Sequence, residues 1–552
     1  MKPQATYQKL RGGYYTPADI AKFLSSWAVR SPSDLVLEPS CGDGVFLDIV
    51  AGQLRQLGAT PGRIAKQIWA YEIDPFEAAR AAERLKHLGA REGDLRVHCA
   101  DFFGSFNGTD PHRQFDAVVG NPPFVRYQNF PEEQRDKAFQ IMRKAGLRPN
   151  RLTNTWVPFI VGAALLLKPQ GRLAMVAPAE LLQVNYAAEL RLFLTRYFSQ
   201  ITVVTFRNLA FGAIQQEVVL LLGLRDVSAK EGIEVLELNS PSELTKYDPR
   251  RFGTNGFKSI NHTAEKWTQY YLTQDEIDLI RSLRSDPRLT KLGSLAGTDI
   301  GIVTGMNDVF VLSEKQTAEN GLASFVRPLV SRSAHLPGVI FTKADWEANR
   351  TAGLKIHLLN LPSGIKRSEL PAEIHNYLRR AEARNLHLGY KCRIRKQWYV
   401  VPSVYVPDAF LLRQIHHYPK LTVNESSATC TDTIHRVRFR ENVDRQMVAT
   451  AFLNSLTFAF AEVLGRSYGG GVLELEPNEA DLLPIPLYNA QRLDPREIDG
   501  FVRSSSIEAV LEKTDEVLLA DGLGLTSEQI NMLRSVWKKL RTRRTGRRNG
   551  DT

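Results

Sequence analysis

Residues 115–124, FDAVVGNPPF, have the types and spacing best suited to chemistry. Residues 115–119 form a short apolar run with β-branched members, closed by Gly120, and predict a buried strand that stops abruptly. Asn121-Pro122-Pro123-Phe124 follows as a stiff loop. Each proline fixes its own φ and lacks an N–H, and Pro123 pushes Pro122 towards an extended conformation. The carbonyls then point in a set direction at the carboxyl end of a strand, where open α/β sheets put their ligands. An exocyclic amine on an aromatic ring is a poor nucleophile, because its lone pair is conjugated with the ring. The side-chain oxygen of Asn121 and the carbonyl of Pro122 can each accept one N–H of such an amine, draw the nitrogen towards tetrahedral geometry and free the lone pair. Phe124 offers the ring a flat apolar face. An Asn-Pro pair is also an ordinary start for a turn, so the loop takes its meaning from its surroundings.

Three other strand ends supply those surroundings. Residues 35–37 predict a strand, residues 38–44 (EPSCGDG) a tight loop, and Val45 begins a helix. The loop is not GxGxxG and no GK[ST] follows, which excludes the common dinucleotide and nucleoside triphosphate fingerprints. Gly42 and Gly44 let a ligand approach the backbone, and one without phosphates fits, its cationic amine beside Glu38. Residues 68–72 (IWAYE) are a second strand, whose final Glu72 is the expected acceptor for ribose hydroxyls. Residues 95–100 are a third, ending at Asp101-Phe102; Asp101 can accept from an adenine amine while Phe102 packs on the ring. Alternation of strands with helices implies a parallel sheet. Its strand ends share one edge, so Glu38, Glu72, Asp101 and Asn121 converge on one crevice.

The flanking elements follow in order. Thr16 is predicted to cap a helix with Pro17 at its first position and Ile20, Phe23, Leu24 and Trp27 on one face. Residues 125–155 are basic with some aromatics and predict a surface excursion beside the site, suited to phosphate contact. Residues 156–167 read as a buried helix stopped by Lys168-Pro169-Gln170-Gly171, residues 172–178 as a fifth strand, and residues 201–206 with 217–222 as a final strand pair.

A chain of 552 residues implies two or three domains, and 43% hydrophobic residues suffice for buried cores. A net charge of +11 favours a polyanionic partner. Cys41, Cys99, Cys392 and Cys430 form no CxxC or CxH pattern, which argues against a zinc site or disulfide framework and for a reducing cytoplasm. The N-terminal residues contain no apolar signal-peptide core, and no apolar run approaches the ~18 residues of a membrane span. Residues 299–312 (DIGIVTGMNDVFVL) predict a strand, a turn and another strand. Residues 390–399 (YKCRIRKQWY) interleave four basic residues with aromatics, as a nucleic-acid surface or as basic edge strands. The tail 538–548 holds seven Lys or Arg and reads as unspecific phosphate attraction or a solubilising end.

With these residues laid out, the chain resembles the gamma-class amino-methylating DNA methyltransferases, of which the TaqI enzyme is a familiar member. The matching pieces are YYTP at 14, LEPSCGDGVFL at 37, YEIDP at 71, ADFF at 100, GNPPF at 120, LLKPQGRLAMVAP at 166 and FGAIQQEVVLLL at 211, in the gamma order. The resemblance covers about residues 10–225; residues 467–471 and 482–486 look, more loosely, like parts of the C-terminal domain of large Eco57I-type members. It implies an α/β fold: a Rossmann-like seven-stranded methyltransferase domain over residues 1–225 and a connector over 226–270. A mixed α+β target recognition domain over 271–500 and a helical segment with a basic tail over 501–552 would follow. It implies S-adenosyl-L-methionine as cofactor, its methionine part held by Thr16, Glu38, Ser40, Gly42 and Gly44 beside Asn121. Glu72 would take the ribose hydroxyls, and Asp101 with Phe102 the adenine. Asn121 and Pro122 would be catalytic, with the flipped target base stacked between Phe124, in place of the commoner tyrosine, and Phe211. The implied activity is methylation of adenine N6 in double-stranded DNA by a monomeric, cytoplasmic, prokaryotic modification enzyme without a metal. A cognate restriction endonuclease is then a possible partner, and no membrane is. The same loop serves cytosine N4 methylation, where a serine often replaces the asparagine, and methylation of RNA or of a protein glutamine.

Overall fold

The apolar runs become strands β1 (Val36–Glu38), β2 (Ile68–Glu72), β3 (Arg96–Cys99), β4 (Phe115–Gly120), β5 (Leu167–Pro178), β6 (Gln200–Phe206), β7 (Val218–Leu224) and β8 (Gly232–Leu238) of one sheet. The computed structural model describes residues 16–88, 91–105, 114–208, 217–253, 256–263, 265–468, 470–504 and 506–546. The strand order is β3-β2-β1-β4-β5-β7-β6-β8. β1 runs parallel to β2 and β4, β2 to β3, and β4 to β5. Among the described residues β7 alone is antiparallel, between β5 and β6. The chain winds outward from β1 to β3, then returns to place β4 on the other side of β1. A crevice opens where that order reverses, outside the carboxyl ends of β1 and β4.

Helices cover the sheet: α1 (Ala18–Ala28), α2 (Val45–Gln56), α3 (Pro75–His87), α4 (Glu132–Lys144), α5 (Trp156–Leu165) and α6 (Ala188–Tyr197). α1 buries Ile20, Phe23, Leu24 and Trp27, as its spacing predicts. They pack with residues of α2 and with Val36, Ala117, Val119, Leu220 and Leu222 of the sheet in one core. α5 is apolar on every side and nearly all buried.

Three expectations change in this half. Among the described residues the sheet has eight strands, not seven, because residues 226–270 are no mere connector: they supply β8, parallel to β6. Glu234 and Glu237 of GIEVLEL made an edge strand look polar, although Gly232, Ile233, Glu234 and Val235 are buried. Trp267 and Tyr270 are buried too, and the buried Arg191 donates to the Glu265 carbonyl at 2.9 Å. The helix read over 156–167 ends at Leu165, and β5 starts at Leu167. Lys168-Pro169-Gln170-Gly171, with Gln170 at φ +66°, therefore lies within β5 and is not the stop of the helix, and the strand begins before Arg172.

The chain divides into two compact units, residues 1–274 and 275–552. In the second, a five-stranded sheet runs Ala296–Ile300, Ile434–Phe439, Ala409–Leu412, Leu421–Glu425, Ile340–Thr342. A four-stranded sheet runs Val311–Ser313, Lys355–Leu359, Val326–Val330, Thr429–Cys430. Within 299–312 the second predicted strand is shorter than read, because Asn307–Phe310 forms a helical turn before Val311–Ser313. No break falls at residue 500: the helix Pro495–Ser504 runs through it, and its Asp499 accepts the Val339 and Ile340 N–H groups at 2.7 and 3.0 Å. The basic tail is a helix as far as Gly546. Its Arg544 is buried, pairs with Glu462 at 2.8 Å and donates to the carbonyls of Ile415, His416 and Gly471. That arginine holds the fold and is not free to meet phosphate.

Candidate active site

A cavity of about 660 Å³ opens at the switch point of the first unit's sheet, and Thr16, Glu38, Ser40, Gly42, Glu72, Asp101, Phe102 and Asn121 line it. The residues expected to converge from four strand ends therefore do so. Gly120 takes φ +155°, a backbone conformation that L side chains rarely adopt; it is this angle and not space that favours glycine, since a Cβ there would meet the Pro39 ring at an ordinary 3.5 Å. Gly44 does not line the cavity. It precedes α2 at φ +87°, where a Cβ would come within 2.9 Å of the Ala81 backbone of α3, so its smallness serves helix packing.

The loop 39–44 is laced to the end of β2. Cys41 N–H donates to the Tyr71 carbonyl and Gly42 N–H to Glu72 Oε2, both at 2.9 Å. Glu72 Oε1 accepts from Asp74 N–H at 2.8 Å, so one carboxylate braces both turns of the rim. Glu38 is 2% exposed, and its Oε2 has no hydrogen-bond partner among the described residues; neither has the buried Ser40 Oγ. Burial, then the charges of Glu72 and Asp43, push the Glu38 carboxyl well above the usual carboxylate range. Such a group is stabilised by a proton or by a cation placed beside it.

Asp101 accepts the N–H groups of Phe103 and Gly104 at 3.2 and 3.0 Å, which caps the helical turn Phe102–Ser105. Burial foremost raises its carboxyl. Phe102 is stacked on Phe159 of α5 at 5.5 Å between ring centres.

Asn121 Nδ2 donates to Thr16 Oγ1 at 3.2 Å. Thr16 is not the cap of α1; the cap position is Pro17, and no side chain of the described residues caps that helix. The threonine instead fixes the rotation of the Asn121 amide, whose donor end it occupies. The rest of the loop is held from the start of α5. Thr155 Oγ1 donates to the Pro123 carbonyl and accepts Val125 N–H at 2.9 Å, while Asn154 Oδ1 accepts Tyr127 N–H at 3.2 Å. Asn154 Nδ2 in turn donates to Tyr186 Oη at 3.0 Å. Pro122 is buried, and among the described residues no hydrogen bond reaches its carbonyl. Thr155 and Asn154 escaped the sequence reading; the polar run Thr153-Asn154-Thr155 before an apolar helix is their only signal, and it reads as helix capping.

Phe124 is half-buried against the core and does not line the cavity. Phe211 lies outside the described residues. The basic segment 125–155 is more than a surface excursion: Phe130, Pro131 and Gln134 line the cavity, and α4 buries Ala138, Phe139, Ile141 and Met142. Two of its cations pair locally, Arg135 with Glu132 and Lys137 with Glu133. Among the described residues, no single helix is long and apolar enough to cross a membrane.

Two family models match the chain in order. Residues 65–211 match the Eco57I restriction-modification methylase, and residues 264–519 match the C-terminal domain of the type II methyltransferase M.Eco57I. The type II methyltransferase M.AccI of Acinetobacter calcoaceticus is 22% identical over 511 residues, covering 88% of each chain. M.XamI of Xanthomonas campestris pv. amaranthicola is 24% identical, covering 86% of this chain and 85% of that one. Among solved structures, the Type IIL restriction-modification enzyme MmeI in complex with DNA shares the fold. Its TM-score is 0.55 at 12% identity, covering 95% of this chain and 75% of that one. The Rossmann-like sheet with its cavity and the two consecutive family matches lead to one assignment: the chain belongs to the Eco57I-type restriction-modification methylases, with an M.Eco57I-type C-terminal domain.

Proposed function

We propose that this protein methylates the N6 amine of adenine in duplex DNA from S-adenosyl-L-methionine, as the modification enzyme of a restriction-modification system. The observation that carries the proposal is the meeting, in one cavity, of a buried carboxylate, Glu38, whose Oε2 has no hydrogen-bond partner among the described residues, and a loop asparagine whose amide is fixed from behind. The names of the type II methyltransferase relatives and the DNA held by MmeI support the choice of reaction and substrate.

The residues fit the cofactor. Glu38 Oε2 and Ser40 Oγ are buried polar atoms without partners among the described residues, suited to a cationic amino-acid moiety. Glu72 presents its carboxylate to ribose hydroxyls, and Asp101 with Phe102 receives the adenine ring. S-adenosylmethionine, when bound, supplies a methyl group activated by the adjacent sulfonium. The chain has to place the acceptor in line with it. An adenine inside a duplex cannot reach the cavity, so the base must be extruded. Asn121 Oδ1 and the Pro122 carbonyl then accept the two amine N–H bonds. As the nitrogen becomes tetrahedral these bonds strengthen, so they act mainly in the transition state. Phe124 and Phe211 would sandwich the ring, and the second unit would read the DNA sequence.

The test is to expose plasmid DNA, ribosomes and release factors to the protein with radiolabelled cofactor, then to digest the DNA and identify the methylated nucleoside. N6-methyladenine is expected. N4-methylcytosine alone would overturn the choice of base, and label confined to RNA or protein would overturn DNA as substrate.

A further inference from the structure

Segment 384–396 of the second unit holds three large apolar side chains out in water, Leu388, Tyr390 and Ile394, at 54%, 64% and 60% exposure. Arg384, Lys391, Arg393 and Lys396 are exposed among them. None of the four forms an ion pair with a described residue, and residues 383–407 contain five Lys or Arg and no Asp or Glu. A solvated surface usually intersperses both signs and keeps large apolar groups apart.

The ledge is rigidly built. Cys392 is fully buried at its centre. Arg395 turns inward and donates to the carbonyls of Thr304 and Val303 at 2.8 and 2.6 Å. Trp398 Nε1 donates to Glu382 at 3.0 Å, and Tyr399 Oη to the Ile365 carbonyl at 3.0 Å. Gly305 makes room beneath: at φ +80°, a Cβ there would lie 2.8 Å from Lys391 Cβ. One basic residue of this stretch, Arg395, is thus structural, while four others and three apolar groups are presented outward.

We propose that segment 384–396 is a duplex-DNA binding surface, with Lys391, Arg393, Lys396 and Arg384 on phosphates and Leu388, Tyr390 and Ile394 against sugars and base edges. The proposal rests on the reading of DNA as substrate. Alternating cations and apolar groups match a polymer whose charge and apolar surface alternate every few ångströms. A membrane surface calls for a long helix with the two segregated onto opposite faces, and the helix here, Tyr390–Arg393, is a single turn.

The experiment uses the whole 552-residue chain and a labelled 30-bp duplex, with binding followed by fluorescence anisotropy between 50 and 200 mM salt. The triple variant Lys391→Ala/Arg393→Ala/Lys396→Ala should bind more weakly, and its slope of log K against log salt should be shallower by about 2–3, near 0.9 for each phosphate that is no longer neutralised. Tyr390→Ala/Ile394→Ala should weaken binding by about tenfold with the slope unchanged, since stacking and apolar packing release no counterions. All the changed side chains are exposed, so thermal melting should match wild type. A triple variant with the wild-type slope, in a protein that still methylates DNA, overturns the surface and leaves the activity standing. Wild-type protein that neither binds nor methylates duplex DNA overturns both. If the variants lose binding only to vesicles of phosphatidylglycerol and phosphatidylcholine, the ledge is a lipid surface and the proposal is wrong.

Discussion

Thr155→Val removes one hydroxyl at nearly constant volume and tests whether the catalytic loop is held from behind. Thr155 is 4% exposed, and its hydroxyl gives one hydrogen bond to the Pro123 carbonyl and takes one from Val125 N–H. Valine leaves both backbone groups unmatched in a largely buried place. Each such group costs about 1–3 kcal/mol when its partner is removed, so the loop is destabilised by about 2–4 kcal/mol if water reaches part of it. The Thr155 N–H still reaches the Val125 carbonyl at 3.0 Å, and α5 keeps its apolar faces, so the fold should survive. A misplacement of about 1 Å in a reacting geometry costs about 10²-fold in rate. The prediction is therefore a kcat lower by about 10²-fold, with cofactor affinity within a few-fold of wild type, because the loop 39–44 is braced separately by Glu72. Thr155→Ser keeps both hydrogen bonds and should recover most of the rate. Single-turnover methylation beside calorimetric titration of the cofactor decides the matter. A valine variant at the wild-type rate, or a serine variant as slow as the valine one, would refute the argument.

Other perturbations separate the remaining roles. Asn121→Ala should lower single-turnover methylation by roughly 10²-fold or more while DNA binding is kept, since its acceptor acts in the transition state; Phe124→Ala should instead weaken the extruded state by about 1–3 kcal/mol, read from 2-aminopurine fluorescence at the target position. Glu38→Gln should weaken cofactor binding yet raise the melting temperature of the free protein. The native carboxyl titrates above its ordinary value of 4.5, so it costs stability progressively as pH rises from there towards the native pKa, and the gap between variant and wild type should widen over that range. Arg544→Met should destabilise the second unit by about 3–5 kcal/mol by leaving Glu462 buried and uncompensated, and the double variant with Glu462→Leu should recover much of that in chemical denaturation.

What was legible in the sequence is what lies at the end of a strong apolar run. β1, β2 and β4 announce themselves by short hydrophobic stretches, and parallel pairing then forces Glu38, Glu72 and Asn121 onto one edge. β8 was missed because an edge strand can tolerate glutamates that a central strand cannot. The second unit was less legible for a related reason. Its strands are two to six residues long, and its five-stranded sheet joins residues 296–300 to 434–439 and 340–342 to 421–425, pairings that no local pattern encodes. The burial of Arg544 depends on Glu462, 82 residues away, so a run of cations looked like a free tail.

The most instructive departure from helix-capping rules concerns two threonines, Thr16, which was expected to cap a helix, and Thr155, which the sequence reading passed over. Thr16 and Thr155 each stand at or just before the start of a helix with apolar residues to bury, where a hydroxyl ordinarily accepts a helix N–H and contributes about 1 kcal/mol. Neither does so: among the described residues no side chain caps α1 or α5. One hydroxyl accepts from the Asn121 amide across 105 residues, and the other holds Pro123 and Val125 across about 30. Each helix forgoes a cap, and the loop gains a fixed amide and a fixed backbone. The exchange is sensible because α1 and α5 are stabilised chiefly by burial, α5 on almost every side, whereas Asn121-Pro122-Pro123-Phe124 has no regular hydrogen-bonding of its own. Stability has been surrendered at two helix ends and placed where a reacting geometry needs it. Restoring the two caps by other residues would stabilise the helices and loosen the loop, which is the reverse of what the site requires.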